Sequence, residues 1–417
     1  MKNASKPIRN DNSAIENQPE TTKQSNHRRR TWIIAGALSI IAVVILLGYS
    51  PVMKKINHRR SEAFKQQCKS ATSISDWENL KVISEQWMKS SPQNNDALLF
   101  AAEACVQLDQ LERVVELLGK VDNSYQGILP ALEGRGDILF SDLNLSLDAE
   151  ENWKRMLTID EKSAIAHQRL IYFYAMTLQR QKMVKQIQLA MKLTCEPPEA
   201  YSYLIMQNVL NFSDGLAMLT RWRSKYPENE SLEVAQAVYS AKQTADNGMA
   251  TFGIQTVSPG DKTLLNKTLK KYPSNLELLA LKIDLAIFEG DTNAVVKLLT
   301  KASSDAENDS RFWRYRGWLL KKRGEYSPAA QSLEHAIKLN AFEWQSRLLL
   351  ADAYRHLNMP EKSDKQSVIA SQGKELQRKL FESPTARDVN AELIDNIYEY
   401  LLLLDAPEAL AALQQRR

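Results

Sequence analysis

An all-α fold is predicted for this chain of 417 residues by three observations. Glycine and proline are scarce, at 14 each, while strings of Leu, Ala, Lys, Glu and Gln recur, a balance that favours helix over strand. Helix-length amphipathic segments come in pairs joined by short polar turns. In the last third, small and apolar positions return in register: Gly290 and Gly324, Leu299 and Leu333, then Ala302, Ala336 and Ala370, and Ile283, Gly317 and Ala351. Each step is 34 residues. An array of that period spreads its core along an axis, so chain length does not count domains.

Residues 1–30 are polar, rich in Asn, Ser, Gln and Lys, and carry no apolar periodicity, which predicts a disordered tail. From Trp32 to Tyr49 the chain is continuously apolar or small. As a helix that run is about 27 Å long, close to the hydrocarbon thickness of a bilayer. Trp32 and Tyr49 stand where interfacial aromatics belong, with Arg28, Arg29 and Arg30 before the run and Lys54, Lys55, Arg59 and Arg60 after it. Residues 31–52 are therefore expected to be a single membrane anchor. A cleaved signal peptide is the alternative, although Leu47 to Pro51 offers no small-x-small cleavage site. The triple arginine abuts the apolar run directly, which places the tail in the cytoplasm and exports the large domain.

Beyond the anchor, residues 61–404 read as helical hairpins. Ser61 to Ser70 and Asp76 to Lys89 form a first pair, closed by Ser91-Pro92, since proline cannot continue a helix. The segments Ala97 to Gln107 with Leu111 to Val121, Gln126 to Phe140 with Leu145 to Thr158, Lys162 to Thr177 with Gln179 to Leu193, and Glu199 to Leu210 with Asp214 to Lys225 follow in looser form. Lys225-Tyr226-Pro227 and Lys271-Tyr272-Pro273 are near copies of one hinge, and the interval between them holds a Gly-rich insertion at 246–260. Regularity is greatest over 273–370, and residues 405–417 are expected to be a solvating cap and tail.

The clearest unit runs from Arg311 to Asn340. Trp313, Gly317 and Leu320 fall on one face of a first helix, Gly324 breaks it, and Ala329, Leu333 and Ala336 form the inner face of a second. With Ala302, Ala351, Tyr354 and Ala370 these are the expected packing positions. The unit resembles the tetratricopeptide repeat, with Trp313 and Gly317 at the aromatic and glycine positions, Leu333 where Phe is usual and Arg316 where Leu is usual. The resemblance implies a right-handed superhelical solenoid of about eight or nine hairpins whose first helices line a concave groove for a peptide or partner helix. At the places corresponding to the asparagines of the family's chaperone-tail clamp stand Trp318 and Asp352, so chaperone C-termini are not the expected ligand.

No phosphate loop, metal-ligand helix motif or nucleophile elbow occurs, and none of the 5 histidines stands in a His-x3-His context. No catalytic residue, metal or cofactor is expected. Cys68, Cys105 and Cys195 are too scattered for a zinc or disulfide framework and read as small helical hydrophobes. Arg135-Gly136-Asp137 spells an adhesion tripeptide but falls inside a helix, where its glycine serves packing. Basic residues outnumber acidic ones by only 54 to 50, which excludes a nucleic-acid binder on charge and leaves surface recognition. Arg311, Arg314, Trp318, Lys321 and Lys322 lie away from the packing stripe, with Arg355 on the next first helix, and such a basic aromatic strip suits an acidic, partly apolar segment of a partner protein. The expected role is a noncatalytic membrane-tethered scaffold or adaptor. The alternatives are a structural assembly factor for an envelope or secretion complex and an accessory subunit of a membrane-bound enzyme.

Overall fold

The computed structural model describes residues 53, 55–242, 262–382 and 389–416, and among them every regular element is helical. The tail 1–30, the expected anchor 31–52 and the insertion 246–260 lie outside the described residues. Among the described residues no helix is long and apolar enough to cross a membrane. The chain divides into two units, Met1–Pro92 and Gln93–Arg417.

In the first unit, a helix over 55–73 (α1) pairs with α2 (Trp77–Ser90). Trp87 is the anchor of the pair: it is buried, stacks on Phe64 at 6.1 Å between ring centres, and donates from Nε1 to Ser61 Oγ at 3.0 Å. Cys68 and Leu80 complete this small core.

The second unit is a run of hairpins. In order they are α3 (Asn95–Gln107) with α4 (Leu111–Gly119), α5 (Ile128–Asp137, ending in a π turn over Ile138–Asp142) with α6 (Ser146–Ile159), and α7 (Ala164–Met176) with α8 (Arg180–Lys192). Then come the short α9 (Ala200–Met206) and α10 (Gly215–Lys225), which packs on α11 (Glu230–Lys242), followed by α12 (Lys262–Lys271) against α11 and by α13 (Leu276–Glu289) with α14 (Thr292–Leu299). The last three are α15 (Ser310–Lys322) with α16 (Tyr326–Leu339), α17 (Trp344–His356) with α18 (Pro360–Glu382), and α19 (Ala391–Leu403) with α20 (Pro407–Arg416).

One backbone device makes seven of these turns. The first helix ends on a residue in the left-handed region: Ser75, Asp109, Asn144, Leu178, Gly290, Gly324 and Asn358, with φ between 54° and 79°. The next amide then reaches back to a carbonyl in the last turn, as Glu325 N–H does to Leu320 O at 3.0 Å and Gln179 N–H to Tyr174 O at 2.8 Å. That is the Schellman closure, which satisfies the helix-end carbonyls and turns the chain. These positions stand 34 or 35 residues apart along each half. The repeat register thus runs through the first half of the chain, where the sequence pattern looked degenerate, because Asp, Asn, Ser and Leu occupy a position that elsewhere carries glycine.

Of the expected packing residues, Ala329, Leu333, Ala336, Ala351, Tyr354 and Ala370 are buried and Ala302 is half-buried. Gly317 is buried where a Cβ would come within 2.6 Å of Leu333 Cγ, so its lack of a side chain sets the approach of α15 to α16. Trp313 and Leu320 are a correction: both are half-buried, and the core side of α15 is carried by Phe312, Tyr315, Trp318 and Leu319 against Leu279 and Ile283 of α13. The apolar stripe turns toward the preceding hairpin because α15 must cover α13 as well as α16. Trp313 instead lies beneath the Arg316 guanidinium, 4.6 Å from its ring centre, beside the ring of His335. Arg135-Gly136-Asp137 is used for packing: Arg135 donates to Val115 O at 2.8 Å, and a Cβ on Gly136 would meet Trp153 Nε1 at 2.5 Å.

The C-terminal segment departs from the expected solvating cap. Helix α20 buries Ala409, Ala412 and Leu413 and packs on α8, and Arg416 Nη1 donates to Glu196 O at 2.6 Å. The end of the array therefore returns to its middle.

Candidate partner-binding surface

The residues expected to meet a partner sit on α15 and α17, and the structure divides them. Arg311 is buried. Its guanidinium takes Glu277 from α13 on both nitrogens, at 2.6 and 3.0 Å, and Asp309 at 2.6 and 3.0 Å. Asp309 also caps α15, accepting from Arg311 N–H at 3.0 Å. Burial pushes the Glu277 and Asp309 carboxyls up, but the facing guanidiniums outweigh it and hold both below the usual carboxylate range.

Arg314, likewise buried, donates to Glu343 and Gln345 at 2.5 Å each and reaches Asp284 at 3.3 Å. It thus bridges α13, α15 and the start of α17. Lys321 pairs with Asp352 of α17 at 2.5 Å, and that hydrogen bond, against a smaller opposing effect of burial, draws the Asp352 carboxyl down. Trp318 is only 8% exposed and belongs to the core, with the Lys322 ammonium 5.7 Å from its ring centre.

Arg311, Arg314 and Trp318 are therefore structural residues, which corrects their reading as a recognition strip. The cations of α15 find their counter-charges on the neighbouring hairpins, so this inner strip neutralises itself. Glu277 and Glu343 were missed because a pattern read helix by helix does not see pairs 29 to 34 residues apart. The available signal was register: Glu277 and Arg311 occupy the same place in successive units.

What stays at the surface is the rim where the first helices end. Lys322, Arg323 and Arg355 are exposed there. His356 stacks on Tyr326, with ring centres 4.1 Å apart and planes 10° from parallel, and its Nδ1 lies 2.9 Å from Asp352 O. Arg355 reaches Asp352 at 3.4 Å, which ties this rim to the Lys321 pair. Phe288, which holds the corresponding place on the preceding turn, is 59% exposed.

Two further groups, His167 and Cys195, are set by their surroundings. His167 is enclosed between Glu161 O and Gln186, at 2.9 and 2.6 Å, and burial lowers its pKa, so it is held neutral. Cys195 lines a cleft of 530 Å³ with Glu196, Gln415 and Arg416, and burial pushes its thiol up, away from the reactive thiolate. Among the described residues no group of three or more His, Cys, Asp or Glu could hold a metal ion.

No protein-family model matches the sequence, and no curated protein matches it. Solved structures that overlap it include a tetratricopeptide repeat protein from Parabacteroides merdae, at 14% identity over 62% of this chain and 98% of that one, with a TM-score of 0.29. The APC/C hetero-tetramer Cut9–Hcn1 overlaps at 12% identity over 82% and 71%, TM-score 0.31, and yeast Tom70 at 13% over 85% and 88%, TM-score 0.27. Overlaps this low carry no argument about partners.

Proposed function

We propose that the chain is a noncatalytic scaffold that binds a partner protein or peptide, and that its partner-facing surface is the basic aromatic rim of α15 to α17 rather than the inner strip. The observation that carries this reading is the exposure of Lys322, Arg323 and Arg355 beside the Tyr326–His356 stack, while the inner arginines are fully occupied. Exposed cations next to a flat aromatic pair suit an acidic segment with an apolar residue or two. In this reading residues 31–52 tether the array to a membrane, with the tail cytoplasmic and the repeats exported.

Charge reversal at Lys322 and Arg355 tests the surface. Proximity labelling from the C-terminus of the membrane-inserted chain should lose its main protein targets in the double variant Lys322→Glu/Arg355→Glu, while the melting temperature stays that of wild type. Unchanged targets, together with loss of function on deleting residues 1–60, would instead favour an assembly factor that works through its anchor. Protease digestion of intact cells tests the tether: cleavage of the repeats without permeabilisation supports export, and full protection overturns it.

A further inference from the structure

A cleft of 530 Å³ lies where α20 meets the middle of the array, between α20, the start of α7 and the turn that follows α8. Its walls are mainly apolar: Ile165 from α7, Pro197 and Pro198 from the turn, and Ala412 from α20. Cys195 and Arg416 also line it. The seam between α20 and the array is therefore incompletely filled, whereas protein interiors are ordinarily packed as densely as organic crystals.

Helix α20 is seated lightly. Ala409, Ala412 and Leu413 are buried and, with Arg416, stand at the i, i+3, i+4 and i+7 positions that share one face of a helix. Two of the three buried side chains are single methyl groups, so the helix gives up little apolar area when it leaves. Across the seam Arg416 Nη1 donates to Glu196 O at 2.6 Å. The Glu196 carboxylate is engaged by the Tyr201 hydroxyl at 3.0 Å, so the arginine is held by a carbonyl. Helix α18 also meets α9, so the return of the array to its middle does not hang on α20 alone.

We infer that α20 is a displaceable strap seated in a helix-docking groove, and that the groove's outside ligand is an amphipathic helix of a partner protein with a large apolar residue where α20 carries Ala412. The groove already takes a helix of this pattern, since α20 packs there against α8. Its unfilled volume adjoins Ala412, so a leucine at that place gains contacts that alanine does not make. A basic residue one turn further on replaces Arg416 at the Glu196 carbonyl. Tethering favours α20 through its effective concentration, and fuller packing favours the partner, so occupancy follows the amount of partner present. The groove shares no residue with the rim of α15 to α17, so either reading survives loss of the other.

The test uses the full-length chain. Amide hydrogen exchange read by mass spectrometry should show α20 opening without the rest of the array, about tenfold or more often in Arg416→Ala, as loss of a charge-assisted hydrogen bond implies. A fluorescent peptide of residues 405–417 carrying Ala412→Leu should bind saturably and more tightly than the peptide of native sequence. It should bind more tightly still to the Arg416→Ala chain, and should raise exchange in α20 as it displaces the strap. The same peptide with Leu413→Asp in addition should not bind. Exchange of α20 only with global unfolding, or no saturable binding of the Ala412→Leu peptide to the Arg416→Ala chain, would overturn the strap. Binding that leaves exchange in α20 unchanged would overturn it as well, because the peptide then sits elsewhere. Arg416 is exposed, so its variant keeps the fold.

Discussion

Between α5 and α10 neighbouring hairpins are joined by aromatic rings, whereas between α13 and α17 they are joined by ion pairs. In the first region Phe140 lies 4.9 Å from Trp222 and 5.3 Å from Trp153, Phe173 lies 6.0 Å from Trp222, and Tyr172 meets both Phe140 and Phe212. In the second, Arg311, Arg314 and Lys321 each bind a carboxylate presented by a neighbouring unit. The contrast separates two ways of stacking the same hairpin. Ring packing is tolerant of direction, so the repeat signature there can drift. Buried ion pairs demand geometry, and the repeat is strict where they occur.

The largest effect is expected from Trp222→Ala. Trp222 is fully buried at the centre of the rings, and removing it should cost about 3 to 5 kcal/mol, read as a lower denaturation midpoint in urea. A cost below about 1 kcal/mol would mean that the rings do not hold the hairpins together. Next comes Glu277→Gln, which leaves the buried Arg180 and Arg311 without their shared counter-charge and should cost about 3 kcal/mol or more.

The pH dependence of the second variant sharpens the contrast. Because the folded protein holds Glu277 and Asp309 below the usual carboxylate range, their contribution is fully present above the unfolded pKa and is lost as pH falls through the folded one. The gap in stability between wild type and Glu277→Gln should therefore be widest at neutral pH and should narrow below about pH 4. The gap between wild type and Trp222→Ala should show no comparable narrowing.

Smaller effects belong to the turns and the rim. Ser75 is exposed and adopts φ 57°, so Ser75→Gly should raise stability by about 0.5 to 1 kcal/mol, since glycine takes that conformation without the Cβ penalty. Lys322→Glu alone should cost about 0.5 kcal/mol or less, the loss of an exposed ammonium from beside the Trp318 ring. A larger loss would place Lys322 among the residues that hold the fold.

Helix placement was legible throughout, because amphipathic periodicity is local and each predicted helix in the described residues appears with its ends shifted by a few residues. Less legible was the repeat register in the first half, since Asp109, Asn144 and Leu178 adopt the left-handed turn that glycine advertises at 290 and 324. The recognition strip was the poorest reading. Arg311 and Arg314 looked like free cations on a helix face, yet their partners lie on other hairpins, and burial is a property of the assembled stack.

By itself, the amino-acid sequence determined that this chain forms helical hairpins, where most of them turn, and which small residues let paired helices approach, because these depend on interactions within about one turn or one hairpin. Only the tertiary structure decided which face of α15 became core, that the inner cations were to be neutralised across hairpins, and that α20 was to pack on α8. Those outcomes depend on groups dozens to hundreds of residues apart, whose encounter is set by how the hairpins stack.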